Sequence, residues 1–223
     1  IGEVSTVREE FLKRFRKSAV VALSASTLAV VLGSLAAYGL SRFNYRFGFM
    51  RNSDISFFFL SLMILPPVGL ALPFLVLFRA LYLLYSRIGL ILLYTLMVLP
   101  IVIWIMRDQF QGIPVELEEA ALVDGLGIWG AFIQIVLPIA LPGMVAAFIL
   151  SLVLCWNEYF FAALLTSTNA TTLPVMVASQ TGSQGINWWS MAALSSAAIL
   201  PLIVVAIFLE KFIIKGMAAG AVK

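Results

Sequence analysis

The charged residues of this chain fall in clusters, and between them lie long charge-free stretches at 18–41, 55–78, 88–106, 128–157 and 159–209. A helix needs about 20 apolar residues to cross a bilayer, and a backbone in lipid must satisfy its own hydrogen bonds. The last stretch is too long for one crossing and is broken by "TSTNATTLP". The pattern predicts an all-α polytopic membrane protein with five spans, at about 18–41, 55–78, 88–108, 139–165 and 190–210. "RALYLLYSRIG" at 79–89 reads as a short amphipathic element. Residues 166–189, rich in Ser, Thr, Asn, Gln and Gly, form the longest connector on the same side and end in Trp188 and Trp189, an interface pair.

Composition extends this reading to the whole chain. Of 223 residues 62% are hydrophobic and 11% charged, and mean hydropathy is +1.07. A water-soluble domain carries far more charge, so residues 1–223 read as one membrane domain. The chain has no histidine, and its one cysteine, Cys155, lies inside a predicted span. An intrachain disulfide is excluded, and no metal-ligand set or catalytic constellation is expected. No G-x-x-x-x-G-K-[ST] sequence is present, so the chain carries no phosphate-binding loop of that kind. The net charge of +3 reads as loop bias, not as a nucleic-acid footprint.

Charge gives a partial orientation. The loop at 42–54 carries Arg42, Arg46 and Arg51, and the tail carries Lys211, Lys215 and Lys223. With alternating spans both share a side with the connector at about 112–138, which the positive-inside rule makes cytoplasmic. Arg8, Lys13, Arg14, Arg16 and Lys17 fall on the opposite side, offset in part by Glu3, Glu9 and Glu10. Charge alone leaves the orientation open.

The connector itself is unusual: "GIPVELEEAALVDGLG" is acidic and hinged on glycines. Pro114 suits the start of a helix. Glu116, Glu118 and Glu119 occupy the first turns, where the helix dipole favours negative charge. Gly125 and Gly127 are candidates for a positive-φ helix end, and a second helix is predicted from about Ile128. Ala120 and Ala121 allow close approach of another backbone, and the acids are available to basic residues on a partner. An interfacial membrane helix is the alternative, disfavoured because such helices carry Lys and Arg on their polar face.

The spacing Glu119-Ala120-Ala121, Gly125, then Ile135, Leu137 and Pro138 resembles the E-A-A-x3-G-x9-I-x-L-P motif of binding-protein-dependent ABC importer permeases, at every fixed position. "LGSLAAYGLSRF", "LPPVGLALPFLVLF", "WNEYFFAALLT" and "EKFIIKGMAAGAVK" are similar to the carbohydrate-uptake branch, of the maltose-permease G-subunit type. The resemblance implies a cytoplasmic coupling helix that docks on an ATPase subunit, with Glu119, Ala120, Ala121, Asp124, Gly125, Ile135, Leu137 and Pro138 as its coupling residues. It implies six spans in the full protein, the five here being the second to sixth, and it supports the cytoplasmic placement of 112–138. Gly216 to Lys223 matches a family tail that reaches toward the ATPases.

The implied function is the permease subunit of an ATP-driven importer for a sugar, sugar alcohol or related polyhydroxyl solute, in a bacterial or archaeal cytoplasmic membrane. The implied partners are a second permease, two ATP-binding subunits that hold ATP and Mg, an extracytoplasmic solute-binding protein and membrane lipid. The chain itself carries no cofactor and is not an enzyme. A non-carbohydrate importer is the alternative. A secondary carrier or channel fits less well, because neither needs an ATPase docking site.

Glu158, in "CWNEYFF", is an ionisable residue in an apolar run and costs roughly 2.5–3.5 kcal/mol to place there. Asn157, Glu158 and Tyr159 are candidates for the substrate pathway. The competing reading is that Glu158 and Asn157 tie helices together or pair with the second permease. Trp104 and Met106 read as packing residues.

Overall fold

The structure, a computed structural model, describes residues 2–46, 48, 50–166, 171–182, 185–186 and 188–221, with side chains over 8–46, 48, 50–166, 171–180 and 188–209. The fold is all-α. Its helices are α1 (Gly2–Arg42), α2 (Asn52–Ser61) with a 3-10 turn Leu62–Ile64, α3 (Pro67–Ala80), α4 (Arg87–Gln111), α5 (Glu116–Val123), α6 (Ile128–Ala131), a π turn Phe132–Val136, α7 (Leu137–Trp156), α8 (Phe160–Leu165), α9 (Leu173–Ala178) and α10 (Trp188–Ala221). A two-residue antiparallel ladder, β1 (Thr181–Gly182) with β2 (Gly185–Ile186), lies in the connector before α10.

Among the described residues four stretches are long and apolar enough to cross a membrane: Arg8–Arg42, Arg87–Gln111, Ile128–Trp156 and Trp188–Leu209. A fifth requires that the bent pair Asn52–Ile64 and Pro67–Ala80 count as one span. The expected straight span at 55–78 is therefore interrupted. Pro66 and Pro67 explain the break, since neither can donate a helical hydrogen bond and each disfavours helical geometry in the residue before it. The expected span at 139–165 is also different: its helix begins earlier and ends at Trp156, with residues 157–159 separating it from α8. Residues 81–86 form no helix. Tyr82 and Tyr85 adopt φ of 57° and 60°, and the Tyr85 N–H bonds the Leu165 carbonyl at 3.0 Å. The tail predicted after residue 210 continues α10 to Ala221, and residues 222–223 lie outside the described set.

The chain divides into two compact units, each drawn from three segments. The first comprises Ile1–Thr27, Leu65–Met97 and Leu152–Ile207. Its core includes Val21, Ala25, Leu90, Leu93, Tyr94, Phe161 and Leu173. The Ser18 hydroxyl accepts the Leu173 N–H at 2.7 Å, the Trp156 indole donates to the Ala198 carbonyl at 3.1 Å, and Phe74 meets Phe161 edge-on at 5.7 Å.

The second unit comprises Leu28–Ile64, Val98–Ser151 and Phe208–Lys223. Here α1 buries small residues, Ala29, Gly33 and Ala37, at helical spacing, and Gly33 meets Val102 of α4. A Cβ on Gly33 would sit 2.5 Å from Val102 Cγ1, so glycine is required for this approach. Met106 is fully buried, whereas Trp104 is 42% exposed within this chain. Tyr38, Phe110 and Phe132 form an aromatic cluster, with ring centroids 4.4 to 6.1 Å apart.

Candidate functional site

The acidic connector lies in the second unit. Its helix α5 starts two residues beyond Pro114, whose carbonyl accepts the Leu117 N–H at 3.4 Å. It ends in a Schellman motif. The Leu126 N–H bonds the Ala121 carbonyl at 3.0 Å and the Gly125 N–H bonds the Leu122 carbonyl at 3.1 Å. That closure needs a left-handed residue after the helix, and Gly125 supplies it with φ +93°. Gly127, the other glycine considered for this role, is extended instead (φ −78°, ψ 171°) and precedes α6. The motif's Leu137-Pro138 has a local effect too. Pro138 cannot donate to the Gln134 carbonyl, which removes an α-helical bond. The turn just before it widens, and the Leu137 N–H reaches back to Phe132, a π bond.

Glu118 anchors α5. Its carboxylate accepts from Tyr38 Oη at 2.7 Å and from Arg42 Nε at 2.5 Å, and Arg42 Nη2 also donates to the Ile113 carbonyl at 3.0 Å. The two charged side chains are 9% and 8% exposed. This corrects the expectation that all the acids of α5 are free for a partner: Glu118 is consumed within the chain. Sequence spacing carried little warning of it, because Arg42 and Tyr38 lie 76 and 80 residues away.

With Glu118 and Ala121 turned inward, the remaining positions face out. Glu116, Glu119, Ala120, Asp124 and Gly125 are exposed, as are Leu117, Leu122, Trp129 and, at 88%, Val123. Ile135 and Leu137 are half-buried and Pro138 is exposed. The motif thus divides into an outward surface around Glu119 and Ala120 and a set that shapes the fold, namely Ala121, Gly125 and Pro138.

Glu158 sits in the break between α7 and α8, in the first unit. One of its oxygens accepts the Phe161 N–H at 2.8 Å. The other accepts Tyr94 Oη at 2.6 Å and the Ala162 N–H at 3.1 Å. Its carboxylate therefore caps the open N-terminus of α8 and ties it to α4, which favours the helix-tying role. Asn157 and Tyr159 are exposed and line a cleft of about 450 Å³ with Trp156, Pro174, Met191 and Ser195. Asn157 Nδ2 donates to the Val153 carbonyl at 2.9 Å. Glu158 is not part of that lining.

Residues 29–218 match the family described as "Binding-protein-dependent transport system inner membrane component". The chain belongs to this family. It is an ABC importer permease component and a multi-pass protein of the inner membrane. It is 32% identical over 214 residues to the inner membrane ABC transporter permease protein YcjP of Escherichia coli, covering 96% of this chain and 75% of that protein. It is 34% identical to the trehalose transport system permease protein SugB of Mycobacterium tuberculosis, over 91% of this chain and 74% of that one. It is 31% identical to the trehalose/maltose transport system permease protein MalG of Thermococcus litoralis, over 94% and 75%. The fold is similar to a chain of a bacterial ABC transporter that imports the acidic polysaccharide alginate, with a TM-score of 0.73, 22% identity, and 91% of this chain and 75% of that one covered.

Proposed function

We propose that this ABC permease component serves an importer for a sugar, sugar alcohol or related polyhydroxyl solute, and that α5 is its coupling helix. The observation that carries the coupling role is the division of α5: one face locked to α1 through Glu118 and Arg42, the other presenting Glu119, Ala120, Leu122 and Val123 to solvent. An apolar patch rimmed by acids fits a groove with basic edges on a second protein. A rigid inner face then passes motion from that protein into the spans.

In this reading two partner subunits bind ATP with Mg and hydrolyse the ATP. A second permease completes the pathway, an extracytoplasmic binding protein delivers solute, and residues 1–223 act as a single permease domain. The carbohydrate class is supported by the trehalose and maltose systems among the relatives. Asn157 and Tyr159 offer amide, hydroxyl and aromatic surface at the 450 Å³ cleft, chemistry suited to a polyhydroxyl solute. Glu158 holds the cleft's wall in place rather than meeting solute.

The test is reconstitution of the full-length chain with its ATPase, second permease and binding protein. Hydrolysis should rise when a sugar-loaded binding protein is added, and labelled sugar should accumulate. A permease that assembles with no ATPase, or takes up only non-carbohydrate solutes, would overturn the corresponding half of the reading.

A further inference from the structure

In the second unit, the end of α1 and the start of α2 border a cleft of about 690 Å³. Leu35, Ala36 and Gly39 of α1 and Ile55 and Phe58 of α2 line it. Among the described residues that line it, Arg46 is the only charged one and Tyr45 carries the only hydroxyl. Leu35, Ala36, Tyr45, Arg46 and Phe58 are exposed.

The mouth of the cleft is held in place. Asn52 Oδ1 accepts the Tyr45 N–H at 2.8 Å, and Asn52 Nδ2 donates to the Leu40 carbonyl at 2.8 Å and to the Phe43 carbonyl. One amide therefore clamps the turn at 43–45 to the end of α1. The Tyr45 hydroxyl stands 3.3 Å from where a Cβ on Gly39 would be, so the ring lies against α1. Arg46 follows directly, four residues after the Arg42 that anchors α5.

The cleft has one apolar end and one charged end. Its α1 and α2 residues belong to the charge-free stretches at 18–41 and 55–78, whereas Arg46 belongs to the charged loop between them. That is the order of groups met in passing from hydrocarbon to headgroups. The volume is that of a small-molecule site. A crossing helix, about 10 Å across and 30 Å long, packs along a shallow face instead.

We propose that this cleft holds an acyl chain of an anionic phospholipid, with the lipid's phosphate against Arg46. A guanidinium fork matches phosphate oxygens, and basic pockets between spans suit anionic headgroups. A free anion would gain nothing from the apolar lining, and a zwitterionic lipid would set its own cation against Arg46.

The experiment uses the full-length protein in its assembled transporter, titrated with phosphatidylglycerol or phosphatidylcholine and read by native mass spectrometry. Phosphatidylglycerol should bind about five-fold more tightly, the effect of one cation near a headgroup. Arg46→Gln should remove that preference and leave phosphatidylcholine unchanged, while Ala36→Phe, which fills the cleft, should weaken both lipids. A benzophenone amino acid placed at position 36 should give a lipid adduct on illumination. Equal binding of the two lipids would overturn the proposal, as would undiminished preference in Arg46→Gln. So would crosslinking from position 36 to a protein subunit instead of lipid, or release of phosphatidylglycerol by inorganic phosphate at the lipid's own concentration.

Discussion

Replacing Glu118 should damage coupling more than any exposed acid of α5 does. The pair it forms with Arg42 is buried on both sides, so no discount for solvent screening applies. Glu118→Ala strands the Arg42 guanidinium, at roughly 3–5 kcal/mol for breaking a buried pair. It also frees Tyr38 Oη, which loses a charged acceptor at 2.7 Å, a bond worth about 1.5–3 kcal/mol. These terms overlap, because all three groups form one network, so the expected cost is about 4 kcal/mol. The double change Arg42→Met/Glu118→Met removes both charges and fills their volume. Such replacements are often neutral, and the remaining penalties are the lost Arg42 bond to the Ile113 carbonyl, about 1 kcal/mol, and the Tyr38 hydroxyl left without its acceptor, about 1.5–3 kcal/mol. The cycle of Glu118→Met, Arg42→Met and the double variant should therefore show strong non-additivity, the double variant costing far less than the sum of the two single changes. The assays are thermal unfolding of the purified assembled transporter and hydrolysis stimulated by the loaded binding protein. If the two single changes simply add in the double variant, the anchor reading of Glu118 is wrong.

Gly125→Ala should cost roughly 1–2 kcal/mol from backbone strain alone, since φ is +93° and no atom lies within 4 Å of the new Cβ. Gly125→Val should cost more and uncouple hydrolysis from the binding protein, whereas wild-type stimulation would show that the Schellman closure is dispensable. Glu119→Lys should weaken ATPase association in a pull-down more than Glu116→Lys, although both side chains are exposed; equal and negligible effects would return α5 to an interfacial role. Glu158→Gln replaces one of two accepting oxygens with an NH2 group, leaving an N–H of Phe161 or Ala162 or the Tyr94 hydroxyl unpaired. It should lower stability by about 1–3 kcal/mol while solute selectivity in uptake assays stays unchanged; altered selectivity at full stability would put Glu158 back in the pathway.

The parts of the fold that sequence makes legible are those written at short range. Charge-free stretches locate the apolar helices, and Gly125 reads as a left-handed turn because the residues around it fix a helix end four positions after Ala121. The interruption at 65–66 was also written locally, as Pro66-Pro67, but a hydropathy window averages over it. Composition finds a span where backbone geometry puts a bend. The break at 157–159 was hidden for a different reason. Glu158 looked like a charge stranded in mid-span, and the expected cost of that charge suggested a ligand role. In the structure the carboxylate sits where the helix has stopped, accepting the N–H groups that stopping exposes. The charge and the break account for each other: an unpaired helix start needs acceptors, and a carboxylate among apolar residues needs donors.

The same logic separates Glu118 from Glu119. Both are glutamates in the first turn of α5, and nothing local distinguishes them. A helix rotates each successive residue by about 100°, so only one of the two can face α1. The motif names Glu119, yet the residue bonded into the chain is its neighbour. That division suits a joint between two proteins. A residue reserved for a partner must be left unsatisfied in its own chain, and one that holds the helix at a fixed angle must be satisfied there. Glu118 pairs with an arginine one residue after the charge-free stretch at 18–41. In the proposed coupling role, force applied at Glu119 is delivered to the end of a spanning helix rather than dissipated in a loop.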